Sequence, residues 1–168
     1  PEAALPFFLS EAPQYLAQIA RMLPEQTMLL TGAPREAYGT DGMIVAGARP
    51  YNSILAINAD GEVVTSYDKT HLVPFGEYLP FQDFFSRFGI SQFVHGSEGW
   101  AAGEARRLME LPGLPPFLPL ICYEIIYPGG LGPLVDEASF ILVVTNDAWF
   151  DGSNGPAQHF HHARIRAV

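Results

Sequence analysis

The sequence predicts a layered fold of mixed α and β elements, and three observations carry that expectation. Helix-like, strand-like and hairpin-like stretches alternate along the chain in the order helix, strand, hairpin, strand, helix. Proline and glycine are frequent, 15 and 16 of 168 residues, which gives short elements joined by turns and argues against a helical bundle. Hydrophobic residues make up 48% and charged residues 16%, a globular composition in a chain long enough for one domain with a real core.

Ser10 is placed to cap a first helix with Pro13 in its first turn, and Tyr15, Leu16, Ile19, Ala20 and Leu23 recur at helical spacing until Pro24. Residues 27–31 form a short apolar run that reads as a buried strand closed by Gly32 and Pro34. Residues 52–58 and 62–67 read as two strands joined at Asp60-Gly61, a hairpin signal. Phe81, Phe84, Phe85 and Phe88 share one face of any helix formed there, as core or as an exposed apolar arm. Gly89, Gly96, Gly99 and Gly103 follow, spaced as in a mobile loop. Residues 117–121 form a strand running straight into Cys122. Residues 140–145 (FILVVT) are β-branched and uncharged, as in a fully buried strand. The last stretch, residues 156–168, is helix-like and has no stop signal. With no initial methionine, the chain reads as a fragment of a longer protein.

Charge and cysteine usage exclude several classes of function. The net charge is −9 and the basic residues are scattered, so the electrostatic footprint of a nucleic-acid binder or of a polybasic lipid-docking patch is missing. No apolar run of about 18 residues is available to span a bilayer. The single cysteine forbids an internal disulfide and any multi-cysteine metal site.

Two residues are used once each: Cys122 is the only cysteine and Lys69 the only lysine. A cysteine at a strand end, entering a turn, is fixed on one side and open on the other, which suits a nucleophile, although a lone cysteine also serves as inert core. A thiol needs a base or a cation beside it. Histidine is one source, and the chain has five: His71, His95, His159, His161 and His162. His159 and His162 share a helical face, and Asp147 is a possible third zinc ligand, but that spacing is weak for a metal. A carboxylate and an ammonium group do the same work, the first taking the thiol proton and the second stabilising thiolate and oxyanion. That alternative predicts Lys69 and a carboxylate buried near Cys122.

Glu2 in PEAALP, Lys69 in YDKTHLVPFGEYLP and Cys122 in LICYE stand in the chain order of the Glu–Lys–Cys triad of the nitrilase (carbon–nitrogen hydrolase) superfamily, which the chain resembles. KTHLVPFGEYLP, PLICYEIIYP, and VVTNDAWF followed by GPAQHFHHARIRA narrow the likeness to the apolipoprotein N-acyltransferase family of bacterial envelopes. The likeness runs along the whole chain, with residues 82–114 similar only in character.

The resemblance implies an α/β fold, the αββα sandwich of the nitrilase type, truncated here at both ends. Residues 1–168 would be part of a catalytic domain on the periplasmic side of the inner membrane, with membrane-spanning segments and C-terminal strands lying elsewhere. It implies a phospholipid acyl donor and a diacylglyceryl-modified apolipoprotein acceptor, and it calls for neither cofactor nor metal. By residue, it implies Glu2 as general base, Lys69 as stabiliser of oxyanion and thiolate, and Cys122 as nucleophile. Glu77 would orient the lysine, while Tyr123 and Glu124 would support the site, with the Tyr123 N–H as an oxyanion donor. Phe81, Phe84, Phe85 and Phe88 become a lipid-contact arm. The alternatives are a soluble nitrilase-type amidase using the same triad on a small C–N bond, and a binding module that keeps the fold without the chemistry.

Overall fold

The computed structural model describes residues 1–78, 80, 99–127 and 131–167. Two three-stranded sheets organise them. The first contains β1 (Met28–Arg35), β2 (Tyr51–Asn58) and β3 (Val63–Asp68), all antiparallel and in that order. The second contains β4 (Met109–Leu111), β5 (Leu114–Ile121) and β6 (Phe140–Val144), with β5 central, antiparallel to β4 and parallel to β6. The helices are α1 (Pro13–Met22), the short α2 (Leu134–Glu137) and α3 (Gly155–Arg166).

The period-2 alternation of the strands sorts their side chains into three apolar layers. Ile54, Ala56 and Tyr67 of the first sheet meet Met109, Phe117, Ile121 and Val144 of the second, forming a core between the sheets. The intervening positions of β2, Leu55 and Ile57, turn the other way and pack with Leu16 and Ile19 of α1. Leu118 and Leu120 of β5 likewise turn outward, against Leu134 and Val135 of α2 and Ala163 of α3. Helix, sheet, sheet and helix are therefore stacked in that order, the αββα sandwich expected from the resemblance.

The hairpin forms where Asp60-Gly61 predicts it. Gly61 has φ +80°, and the Asn58 side-chain oxygen accepts from the N–H groups of Asp60 and Glu62, closing the turn. Four local expectations are corrected. Ser10 does not cap α1: the N-cap is Ala12 with no side-chain bond, and the Ser10 hydroxyl donates to Glu36 instead. β1 does not stop at Gly32 but runs through Pro34 to Arg35. It is the outer strand of its described sheet, and an outer strand tolerates a proline that lacks an N–H. β6 is not fully buried, since Phe140 is 39% exposed and only Val144 is closed off. It has one strand neighbour among the described residues, and Phe140 shields one ring face by stacking on Phe117. Gly103 is close-packed rather than part of a loose loop. A Cβ there would lie 2.5 Å from the Asp68 carbonyl oxygen, and its N–H donates to the Lys69 carbonyl at 2.8 Å. The four-phenylalanine stretch, with Gly89, Gly96 and His95, lies outside the described residues.

Candidate active site

β5 delivers Cys122. The strand ends at Ile121, and the chain turns at once into a 3-10 segment, Cys122–Ile125. Cys122 takes a left-handed backbone, φ +52°, which costs a residue with a side chain roughly 1–2 kcal/mol. Glu124 holds the turn. Its carboxylate is fully buried and accepts from the Ile121 N–H at 2.9 Å, the Thr70 N–H and hydroxyl at 2.8 Å each, the His71 N–H at 3.1 Å and the Tyr67 hydroxyl at 3.1 Å. Glu124 thus ties the Cys122 turn to the segment after β3, where Lys69 sits.

Lys69 follows directly on Asp68, the last residue of β3, and its side chain is 1% exposed. Its Nζ donates to Glu77 at 2.8 Å and to Glu2 at 3.3 Å. The second Glu77 oxygen accepts from the Val73 N–H at 2.8 Å, so this glutamate closes its own loop while gripping the lysine. Burial pulls the ammonium down, but the Glu2 and Glu77 charges and the Glu77 hydrogen bond outweigh it and hold Lys69 above its ordinary value.

Glu2 reaches the same point on a segment that crosses both sheets. Its N–H donates to the Thr145 carbonyl just past β6, and the Ala4 N–H donates to the Gly32 carbonyl in β1. A Cβ on Gly32 would sit 2.4 Å from the Pro1 carbonyl oxygen and 2.8 Å from the Glu2 Cα, so only glycine lets this segment lie against β1. The Glu2 carboxylate accepts from the Asn52 amide at 2.8 Å, from Lys69 and, more weakly, from the Asn146 N–H at 3.4 Å.

The three residues meet at the sulfur. Burial and the Glu2 charge push the Cys122 thiol up to about 12; Lys69 and the Thr145 hydroxyl pull it down by less, and a hydrogen bond with Glu2 adds to the rise. The resting sulfur therefore carries its proton, beside a carboxylate able to take it and an ammonium able to stabilise what remains. Among the described residues no group of side chains is arranged to hold a metal ion. His159 does not pair with the thiol: its ring contacts the Cys122 carbonyl oxygen and Asp147. His161 and His162 are exposed on α3.

A model of the family described as "Carbon-nitrogen hydrolase" matches residues 1–168, the whole chain. The chain belongs to the carbon–nitrogen hydrolase family. It is 47% identical over 168 residues to a protein of Rhodopseudomonas palustris named apolipoprotein N-acyltransferase, and 47% identical over the same length to one of that name from Brucella suis. In both cases the match takes in 100% of this chain and 31% of the relative. Among solved structures, Nit3 of Saccharomyces cerevisiae, titled a member of branch 10 of the nitrilase superfamily, superposes with TM-score 0.56 at 20% identity. That match covers 92% of this chain and 45% of Nit3. A cysteine-to-alanine mutant of the Nesterenkonia AN1 amidase, from the nitrilase superfamily, gives TM-score 0.54 at 19% identity, covering 95% of this chain and 49% of the amidase. These two show the fold.

Of the residues singled out by sequence, Glu2, Lys69, Cys122 and Glu124 are buried in one cluster joined by the half-buried Glu77, with the Tyr123 ring at its edge against Phe150 and His159. Asn52, Thr145 and the Asp147–His159 pair belong to the cluster as well. Asn52 sits next to Tyr51 at the start of β2 and bridges Glu2 to Glu77, a place visible only from the β1–β2 register. A polar pair, Asn52-Ser53, ahead of the apolar run 54–57 is the one sequence signal it offers.

Proposed function

We propose that this chain is the central part of the catalytic domain of an apolipoprotein N-acyltransferase. It would move a fatty acyl chain from a phospholipid, through a Cys122 thioester, to the N-terminal cysteine amine of a diacylglyceryl-modified apolipoprotein. The observation that carries the reading is a buried thiol beside the paired Glu2 carboxylate and Lys69 ammonium. The 47% identity along the whole chain to proteins of that name supports it.

Glu2 takes the thiol proton as sulfur attacks the ester carbonyl, and Lys69 and the Tyr123 N–H stabilise the oxyanion. The N–H lies in the first turn of the 3-10 segment, where main-chain donors lack partners within the turn. On collapse, the carbon–oxygen bond breaks, and Glu2 returns the proton to the departing lysophospholipid. The lipoprotein amine then attacks the thioester and gives its proton to Glu2. Sulfur leaves and is reprotonated, and an amide remains. The enclosed site keeps water from the thioester.

The whole enzyme would sit in the bacterial inner membrane with this domain on the periplasmic side. Its spanning segments lie outside this chain: among the described residues no helix is long and apolar enough to cross a membrane. Phe81, Phe84, Phe85 and Phe88 supply the apolar arm toward the bilayer. The test is incubation of the whole enzyme with a phospholipid labelled in its acyl chain. A hydroxylamine-sensitive label that Cys122→Ala abolishes, and that an apolipoprotein acceptor discharges, is the expected result. Hydrolysis of small amides with no lipid-derived label would establish the soluble amidase instead, and failure of both reactions the binding module.

A further inference from the structure

His159 is the only buried residue of α3, and it is polar. Its Nδ1 lies 2.8 Å from an Asp147 carboxylate oxygen, and its Nε2 lies 3.0 Å from the Cys122 carbonyl oxygen. Both neighbours are acceptors, so each ring nitrogen is placed where it can donate, one to Asp147 and the other to the Cys122 carbonyl. Asp147 is itself held by the Thr145 hydroxyl at 2.8 Å. The ring stacks on Tyr123, with centroids 5.4 Å apart and planes 15° from parallel.

The Cys122 carbonyl and the Tyr123 N–H belong to one planar peptide group and point in opposite directions. A donor fixed on the carbonyl therefore aims the N–H the other way, and it draws electron density from the amide and makes its N–H a better donor. The left-handed turn at Cys122 would otherwise leave this peptide free to rotate toward commoner conformations. We infer that His159, held by Asp147, is a positioning residue that orients and polarises the Tyr123 N–H as oxyanion donor through the peptide that joins it to the nucleophile. The inference rests on the acyl-transfer reading above and adds a residue to it.

The test compares two reactions of Cys122 in the whole enzyme. Thioester formation from a phospholipid passes through an oxyanion, whereas alkylation by iodoacetamide does not. In His159→Ala, thioester formation falls about tenfold or more while KM for phospholipid is kept, and alkylation stays within about twofold of wild type. His159→Gln, whose amide can donate to the same carbonyl, recovers part of the loss. The inference is overturned if both rates are kept, or if both fall together in a folded protein, since the latter marks a role in structure alone. Should His159→Ala not fold, the same pair of rates in His159→Gln and Asp147→Asn decides. A wild-type enzyme that alkylates at Cys122 but forms no thioester would instead overturn the acyl-transfer reading.

Discussion

Glu2 and Glu124 are both buried glutamates within the same small volume, yet their surroundings differ. Glu124 is ringed by donors from three segments: Tyr67, Thr70 and His71, and Ile121. Its lone pairs are occupied, and its charge is met by these fixed dipoles and by the Arg106 guanidinium 3.9 Å away. Glu2 has Asn52 and Lys69 on one oxygen and a weak 3.4 Å contact from Asn146 on the other, and its remaining partner is the Cys122 thiol. A carboxylate whose acceptors are saturated is suited to be a structural post; one with capacity to spare beside a thiol is suited to the proposed role of base. Burial alone does not separate the two roles. The count and quality of donors does.

The sharpest break in that comparison is Glu2→Gln, which keeps shape and removes basicity. Acyl transfer by the whole enzyme should fall by about 10³-fold with the melting temperature nearly unchanged. Glu124→Ala should do the reverse in kind. It strips several buried donors of their acceptor and should destabilise the domain by about 3–5 kcal/mol in denaturant melts, with activity lost as the fold is lost. If Glu2→Gln instead unfolds the protein while Glu124→Ala stays folded but inactive, the roles are exchanged.

A smaller effect comes from Gly32→Ala. The new methyl collides with the main chain at Pro1 and Glu2, so the base should be displaced and activity fall about 10- to 100-fold in the folded protein. Wild-type kinetics for this variant would mean that the base does not need its present position. The pH dependence bears on the thiol alone. With the thiol pushed up from 9.0 to about 12, alkylation of Cys122 should be slow at neutral pH and climb about tenfold per pH unit through roughly pH 9 to 11, with no plateau near the value of a free thiol. The folded state holds this proton more tightly than the unfolded chain does. The stability it contributes is therefore complete below about pH 9 and declines as pH rises toward about 12. A plateau near pH 8 would mean that Lys69 and Thr145 outweigh burial and Glu2.

Much of the fold was legible because it rests on local signals. Asp60-Gly61 fixes the β2–β3 hairpin, the alternation in residues 52–58 separates its two apolar faces, and Pro24 stops α1. The errors came where a neighbour in space overrides a local signal. Ser10 found Glu36 before it found a helix end, and Pro34 is tolerated because β1 is an outer strand. The site was legible as residue types in order, through resemblance. Its support was not: the Asn146 N–H meets Glu2 across 144 positions of chain, and His159 meets Cys122 across 37. No spacing rule encodes such pairs. Nor does local pattern tell the two glutamates apart: only the resemblance separates Glu2 from Glu124, and the physical difference between them is what folding brings to each.

The segment carrying Glu2 has one further consequence. It is stitched to β1 through Ala4 and Gly32, and to the end of β6 through Thr145. It acts as a clasp across the seam of the sandwich. If the two layers part there, even briefly, the proposed proton acceptor goes with one of them and leaves the sulfur behind. Competence for acyl transfer is thereby linked to closure: a partly opened molecule is also a disarmed one.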